Sequence, residues 1–282
     1  MEENTTKIQA EKIRKLFTIR NWKSNHTIRW LKSLPMKLAA IIAFLLIWET
    51  TAIMGLINPV LIPPPSRIAV KLIELLASGE LLMHISTSME RVLIGFGLAV
   101  IVALPLGFLL GGWFRTFETV MDPLFQVMGQ ANPFTLFPVF IALLGIGEIS
   151  KIAIIFWVCQ WPILFNTVSG IRNVDPLLIK VARSTELGKS DMFTKVLVPA
   201  ALPSIFTGIR MSAVFSLFML IGAEMIGSQS GLGFLIIQSQ ATFQMTKMYA
   251  GIVTVAILGI LINYIMISLE KKATKWKEEI AI

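Results

Sequence analysis

The feature that most constrains this sequence is a set of apolar stretches long enough to cross a lipid bilayer. A helix needs about 20 predominantly apolar residues to span the hydrocarbon core. Six stretches meet that requirement, at approximately 38–57, 92–112, 121–145, 152–172, 203–226 and 248–269. The sequence therefore predicts an all-α polytopic membrane protein with six transmembrane helices.

The overall composition agrees with that fold class. Hydrophobic residues make up 55% of the 282 residues and charged residues 15%, which leaves too few polar side chains to cover the surface of a water-soluble protein. Between the first two spans, Pro63 to Pro65 interrupt any helix, and Ser66 is placed to cap a new one. We expect residues 66–90 to form an amphipathic interfacial helix rather than a seventh span.

The basic residues indicate how the chain is oriented. Of the 25 lysines and arginines, 20 lie in the N-terminal segment, at Arg115, in the 172–195 region, at Arg210 or in the C-terminal tail. With an even number of spans these positions fall on one side of the membrane, and the excess of positive charge marks that side as cytoplasmic. The net charge of +8 thus reflects membrane orientation and gives no indication of nucleic-acid binding.

The third predicted span is rich in residues that disturb a helix, including Pro123, Pro133 and Pro138. Backbone groups without a hydrogen bond are costly in lipid, so such a segment is tolerated only against protein or a watery cavity. We expect this span to face a translocation pathway. The alternative is a kinked helix whose glutamines bond to a neighbouring helix. The candidate pathway residues, all neutral, are Gln126, Gln130, Asn132, Thr135 and Gln160.

The tripeptide Gly188-Lys189-Ser190 resembles the end of a nucleotide-binding P-loop. A P-loop also needs a glycine five positions before Gly188 and a strand that leads into the loop. Arg183 occupies that position, and an apolar span and a helix start precede it. We therefore expect no ATP site and no enzymatic activity on this chain.

The long loop around this tripeptide has the pattern of two short amphipathic helices. Asp175-Pro176 is a favourable helix start, and Ser190-Asp191 provides a second start before Pro199. Apolar residues recur at three-to-four spacing, and lysine and arginine fill the other face. Such helices either lie on lipid headgroups or dock into a groove of a partner protein. The sequence pattern leaves both interpretations open.

Five motifs in a fixed order resemble those of ABC importer permeases. The loop reads VARSTELGKSDMFTKVLVPAALPSIFTGIR and resembles the family's cytoplasmic coupling loop, E-A-A-x3-G-x9-I-x-L-P, with Lys180 and Glu186 where the family has its first Glu and its Gly. The segments LIPPPSRI, LLGIGEISK, AEMIGSQSGLGFLI and MYAGIVTVAILGILIN resemble the family's outer entry, a turn, the last outer loop and the final span. Together they resemble the branch for nitrate, sulfonate, taurine, bicarbonate and thiamine precursors.

The resemblance implies a type I importer fold and several partner subunits. Two permease copies, expected as a homodimer, would work with two cytoplasmic ATPase subunits, which bind ATP and magnesium, and with an extracytoplasmic solute-binding protein. The chain itself would hold no cofactor and no metal, and both termini would lie on the cytoplasmic side of a bacterial-type plasma membrane. The chain then divides into a basic segment over 1–36, a permease domain over 37–271 with the coupling loop at 173–199, and a tail over 272–282.

Within the coupling loop, small residues are expected to allow close contact with the ATPase, and charged residues to lie at the edge of that contact. The expected coupling residues are Val181, Ala182, Arg183, Ser184, Thr185, Glu186, Leu187, Gly188, Lys189, Ser190 and Asp191. The solute implied by the resemblance is small, either an anion such as nitrate, sulfonate or taurine or a thiamine-type precursor.

A different class of transporter is the main alternative. Glu49 lies near the middle of the first span, and intramembrane carboxylates often serve transport, so a proton-coupled secondary transporter remains open. Secondary transporters usually carry internal repeats, and the two halves of this sequence show no convincing one. His26 and His84 are far apart in sequence and, with a single cysteine at Cys159, make a poor metal-ligand set.

Overall fold

The structure, a computed structural model, describes residues 39–184 and 188–275. All regular secondary structure in those ranges is helical, which confirms the predicted all-α class. The expected basic segment over 1–36 lies outside the described residues, as does most of the tail over 272–282.

The first of two compact units, Met1–Arg67, contains α1 (Ala39–Ile53) and the first turn of α2 (Pro65–Ala77). The carboxylate of Glu49 accepts hydrogen bonds from the Ser66 backbone N–H at 3.0 Å and from the Ser66 hydroxyl at 2.7 Å. The first N–H groups of a helix have no partner within it, and a carboxylate is favourable at that end. Glu49 therefore caps α2, a role that sequence analysis assigns to Ser66.

The second unit, Ile68–Ile282, is a bundle of helices. Its helices after α2 are α3 (Glu80–Phe108), α4 (Arg115–Gln130), α5 (Pro133–Leu144), α6 (Glu148–Arg172), α7 (Pro176–Ser184), α8 (Lys189–Met192), α9 (Val198–Met225), α10 (Leu232–Ala241) and α11 (Met245–Ala273). The central helix α6 packs against both α3 and α9. Two π-helical segments, Leu109–Trp113 and Phe193–Leu197, extend α3 and precede α9.

The contact between α3 and α6 depends on a small residue. Ile155, Cys159 and Ile163 of α6 are fully buried. A Cβ atom on Gly95 of α3 would lie 2.7 Å from the Ile155 side chain, closer than van der Waals contact allows. Because lipid is as apolar as a hydrophobic core, membrane helices associate largely through such close packing. Gly95 thus permits the close approach of α3 and α6.

Four helices of the described ranges are long and apolar enough to cross a membrane. They are Glu80–Gly112, Glu148–Arg172, Ser190–Met225 and Met245–Ala273. The pair α4 and α5 adds a fifth crossing if the two bent helices form one span, and α1 is shorter than a span over its described residues. The exact count of six spans stays a prediction.

The second span begins at Glu80 rather than at residue 92, so the single interfacial helix expected over 66–90 is wrong. The helix α2 ends at Ala77, and Gly79, with φ of 77°, separates it from α3. The first turns of α3 contain several polar side chains, which make them look interfacial in the sequence. In the structure His84, Ser88 and Arg91 are buried against protein, so the helix continues through them.

Two other predicted spans have different boundaries. The third consists of two helices that meet at 90°, with Ala131 and Asn132 at the break. The fifth starts at Ser190 rather than at residue 203, and it continues through Pro199 and Pro203. Sequence analysis expects Pro199 to end a helix. Pro199 instead lies at the first turn of α9, where a missing N–H is tolerated.

We expect Gly95→Val to destabilise the protein by about 1–3 kcal/mol, because the added side chain would separate α3 from α6. Gly97 is the matched control on the same helix, since a Cβ there has no neighbour within 4 Å in the part of the chain that the structure describes. Thermal unfolding of both purified variants in one detergent checks the difference. Equal losses of stability in the two variants would contradict the role given to the Gly95 contact.

Candidate functional site

A cavity of about 910 Å³ is lined by residues of α4, α6 and α9. One side of its wall is aromatic, where the ring centroid of Trp161 lies 5.3 Å from that of Trp157, 5.9 Å from that of Phe165 and 6.4 Å from that of Phe125. Trp157, Trp161 and Phe165 follow one another at four-residue spacing and so share one face of α6. A cavity of this size and composition suits a small organic solute.

Two of the five predicted pathway residues line this cavity. Gln126 and Gln130 are one turn apart on α4 and contribute to its wall. Asn132 caps α5, because its Oδ1 accepts a hydrogen bond from a first-turn N–H at 3.0 Å. Thr135 and Gln160 are not among the described residues that form the lining. The pathway role of all five residues stays a prediction.

The cavity also contains ionisable groups that sequence analysis does not select. Glu118, which is 4% exposed, forms an ion pair with Arg172, the last residue of α6. Asp122, one turn further along α4, accepts a hydrogen bond from the Gln126 amide at 2.6 Å. The end of the cavity nearest the 173–199 loop is thus lined by two carboxylates and one guanidinium. The four-residue spacing of Glu118, Asp122 and Gln126 is the sequence signal that indicates a shared helix face.

The loop between α6 and α9 contains the short helix α7, which begins at Pro176 as predicted. The Asp175 carboxylate accepts a hydrogen bond from the Leu177 N–H at 2.8 Å, which confirms the expected cap. Leu177, Leu178 and Val181 are exposed, Val181 to 56%. The helix therefore presents an apolar face that the described part of the chain leaves uncovered.

The remaining coupling residues differ in their accessibility. Ala182 is 5% exposed and lies inside the chain, so it does not share the surface formed by Val181. Asp191 forms an ion pair with Lys195 at 3.1 Å. The exposed members of the set are Arg183, Ser184, Gly188 and Ser190. Outside the described residues lie Thr185, Glu186, Leu187 and the side chain of Lys189.

At the other end of α6, a buried network of charged groups joins four segments of the second unit. Arg91 of α3 donates hydrogen bonds to Glu224 of α9 at 2.5 Å and to Glu148 of α6 at 2.8 Å. Arg91 also donates to the backbone carbonyl of Ser230 at 2.8 Å. Arg91 and Glu224 are buried, so the loss of Arg91 would leave Glu224 as an uncompensated charge.

The same network binds the start of α10. His84 Nδ1 accepts a hydrogen bond from the Gly231 N–H at 3.0 Å. The Ser88 hydroxyl oxygen accepts one from the Leu232 N–H at 2.9 Å. Side chains of α3 thereby satisfy backbone donors that a helix start leaves unpaired. Arg91 directly precedes the second span predicted at 92–112, and no local pattern in the sequence identifies Glu224 as its partner.

Comparisons with known proteins identify similar membrane components of transport systems. Residues 103–275 match the model of the family described as binding-protein-dependent transport system inner membrane component. The chain is 37% identical over 248 residues to a Bacillus subtilis protein named as an aliphatic sulfonates transport permease, SsuC, with 88% of each chain covered. It is 28% identical over 255 residues to the taurine transport system permease protein TauC of Escherichia coli, with 88% of this chain and 92% of TauC covered.

A comparison with solved structures supports the fold. The chain matches a structure of the MetNI methionine ABC transporter in an inward-facing conformation with a TM-score of 0.61 and 18% identity. The match covers 69% of this chain and 96% of that chain. The predicted type I importer permease fold is therefore confirmed, and so is the resemblance to permeases of the sulfonate and taurine branch.

We expect Arg91→Met to reduce the free energy of unfolding by about 3–5 kcal/mol, because Glu224 would be left buried without its cationic partner. The matched control is Arg210→Met, which removes a partly exposed ion pair with Glu270 at 2.9 Å and is expected to cost about 0–1 kcal/mol. Unfolding of each purified variant in mixed micelles with increasing denaturing detergent measures both losses. A loss for Arg91→Met no greater than that of the control would show that the network adds little stability.

Proposed function

The chain belongs to the family of binding-protein-dependent transport system inner membrane components, and on that premise we propose how it works as the permease subunit of an ABC importer for small anions of the sulfonate and taurine type. The chain forms the membrane component of the transporter and is not itself an enzyme. ATP hydrolysis on partner subunits moves the solute through this component.

The cavity and the loop are joined by one helix, and this arrangement is the main support for the proposal. The helix α6 contributes Trp157 and Trp161 to the cavity wall, and it ends at Arg172 directly before the loop that contains α7. A displacement of the loop therefore acts on the helix that lines the cavity. Because α6 is one continuous helix from Glu148 to Arg172, such a displacement changes the wall of the cavity as well.

Two cytoplasmic ATPase subunits, each contacting one permease copy, supply that displacement. The exposed apolar face of α7, formed by Leu177, Leu178 and Val181, fits a groove on the ATPase in the way that amphipathic helices usually bind. ATP and magnesium bound to the ATPases close the ATPase pair and draw the two loops together. A second copy of this chain forms a homodimer with the first, and the pathway lies along their cavities.

The orientation of the chain follows from its charges. Both termini and the α7 loop lie in the cytoplasm, where the excess of lysine and arginine is expected. The end of α6 at Glu148, with the buried network around Arg91, then lies on the outer side. There a solute-binding protein delivers the solute, so that nucleotide and loaded binding protein bias the same two-state equilibrium from opposite sides.

A proton-coupled secondary transporter that uses Glu49 is the less favoured function. The carboxylate of Glu49 is bonded to the Ser66 backbone and hydroxyl groups, so the structure gives it a capping role. A proton carrier would instead need to release its partner during each cycle. Glu49 therefore gives no specific support to this second function.

Reconstitution of the full chain into proteoliposomes distinguishes the two functions. We expect uptake of radiolabelled taurine or ethanesulfonate only when the chain is combined with its cognate ATPase and solute-binding protein. Loaded binding protein should also stimulate ATP hydrolysis. Uptake driven by a pH gradient, with the chain alone in the membrane, would instead establish the secondary transporter.

The coupling role of α7 leads to a separate prediction. Val181→Glu places a charge on the apolar face and should reduce the stimulation of ATP hydrolysis by at least about tenfold, since burial of an unpaired charge in the interface costs more than the roughly 1.4 kcal/mol that corresponds to tenfold. Lys271→Gln, an exposed change in the last turn of α11 and outside the loop, serves as the control. ATP hydrolysis by the complex, with and without loaded binding protein, is the measurement. Normal stimulation in the Val181→Glu complex would show that this face does not dock.

A further inference from the structure

We propose that Arg172 binds the anionic group of the solute at the end of the cavity next to the α7 loop, and that Glu118 competes with the solute for the same guanidinium. The inference rests on the proposed function, because it assigns a binding residue within the pathway. The solute class is a small oxyanion that carries an apolar stem. We call the contact between Glu118 and Arg172 the α4–α6 ion pair.

The guanidinium of Arg172 has donors to spare. An arginine presents five N–H donors. In the described part of the chain, Arg172 uses only Nη2, which donates to Glu118 and more weakly to the Thr119 hydroxyl at 3.4 Å. Its Nε and Nη1 groups remain open to a ligand, and the side chain is 30% exposed where it lines the cavity. Arginine is well suited to oxyanions, because its planar donors bind two oxygens at once.

The carboxylates beside Arg172 make this site weak for an anion. Glu118 neutralises the guanidinium, and Asp122 adds a second carboxylate one turn away on α4, held by the Gln126 amide. An arriving anion can bind the open donors of Arg172, but it is attracted by the full charge of the guanidinium only when it displaces Glu118. Such competition favours brief occupancy and rapid release, as a solute in transit requires.

The rest of the wall fits the same ligand chemistry. The rings of Phe125, Trp161 and Phe165 provide apolar surface for a short hydrocarbon stem. The indole nitrogens of Trp157 and Trp161 are buried and have no acceptor among the described residues. Indole is a donor only, so these two nitrogens lack an acceptor. An oxyanion supplies acceptors, whereas an organic cation does not.

The location of the α4–α6 ion pair links the site to the loop. Arg172 is the last residue of α6, and the coupling loop follows it directly, whereas Glu118 is on α4. A displacement of the loop therefore changes the separation of the two partners. Movement imposed by the ATPase thus shifts the competition between Glu118 and the solute for Arg172.

The test measures binding of ethanesulfonate, with ethylammonium as a cation of the same stem, to the full chain in lipid nanodiscs by titration calorimetry. Glu118→Gln removes the competitor and should bind ethanesulfonate about tenfold more tightly than the unmodified chain. Arg172→Gln should lose saturable binding of ethanesulfonate. Glu118→Asp, which shortens the competitor, should give an intermediate gain and replaces Glu118→Gln if that variant does not fold.

Glu270→Gln is the matched control, because it breaks another ion pair between helices, with Arg210 at 2.9 Å, and neither partner lines the cavity. If the α4–α6 ion pair only stabilises the fold, Glu118→Gln and Glu270→Gln should leave affinity equally unchanged. In proteoliposomes, Glu118→Gln should lower both the solute concentration for half-maximal uptake and the maximal rate, because the solute leaves more slowly.

The inference is overturned if Glu118→Gln binds ethanesulfonate no more tightly than the unmodified chain or not at all, or if Arg172→Gln binds it normally. Tighter binding of ethylammonium than of ethanesulfonate would overturn the assigned ligand class. Calorimetry needs neither the ATPase nor the binding protein, so its outcome is independent of the uptake experiment. A chain that couples to its ATPase but fails these binding tests would retain the proposed function and lose only this site.

Discussion

The absence of water from the bilayer core is the constraint on which this structure depends. Each polar group within the hydrocarbon region has to find its partner in the protein. The long helix α3 carries Arg91 into the bundle only because Glu224 and Glu148 meet it there. The same requirement fixes the start of α10, whose free N–H groups bind to side chains of α3. The buried guanidinium of Arg91 thus fixes α3, α6, α9 and the connection at Ser230 relative to one another.

Much of the fold follows from patterns within short stretches of sequence. The helical class, the start of α7 at Pro176 and the irregular third span depend on apolar length, capping residues and proline, and these signals are local. The start of α3 could not be found in the same way. Residues 84–91 appear interfacial until their partners in α9 and α10 are known. Ionic partners more than 130 residues apart leave no local signal, as the contact between Arg91 and Glu224 illustrates.

The candidate site was predictable to a similar extent. Gln126 and Gln130 could be predicted from the sequence because amides in a proline-rich span are conspicuous, and both line the cavity. The aromatic face of α6 and the ion pair of Glu118 with Arg172 were missed, although the first has a four-residue spacing. Aromatic residues at that spacing more often belong to a core than to a cavity, and only the packing of α4 against α6 distinguishes the two cases. Ala182 shows the converse error, because a small side chain suggests close contact with a partner but is buried within its own chain.

The two arginine sites at opposite ends of α6 show how the same chemistry serves stability or transport. Arg91 directs its donors to Glu148, Glu224 and Ser230, so a ligand would have to break bonds that the fold requires. Among the described residues, Arg172 has one carboxylate partner, open donors and a cavity beside it. A saturated and buried guanidinium stabilises the fold, whereas a partly satisfied one at a cavity wall can exchange partners without unfolding. Such exchange suits the end of α6 that the coupling loop moves, since a transporter needs an interaction that breaks in every cycle.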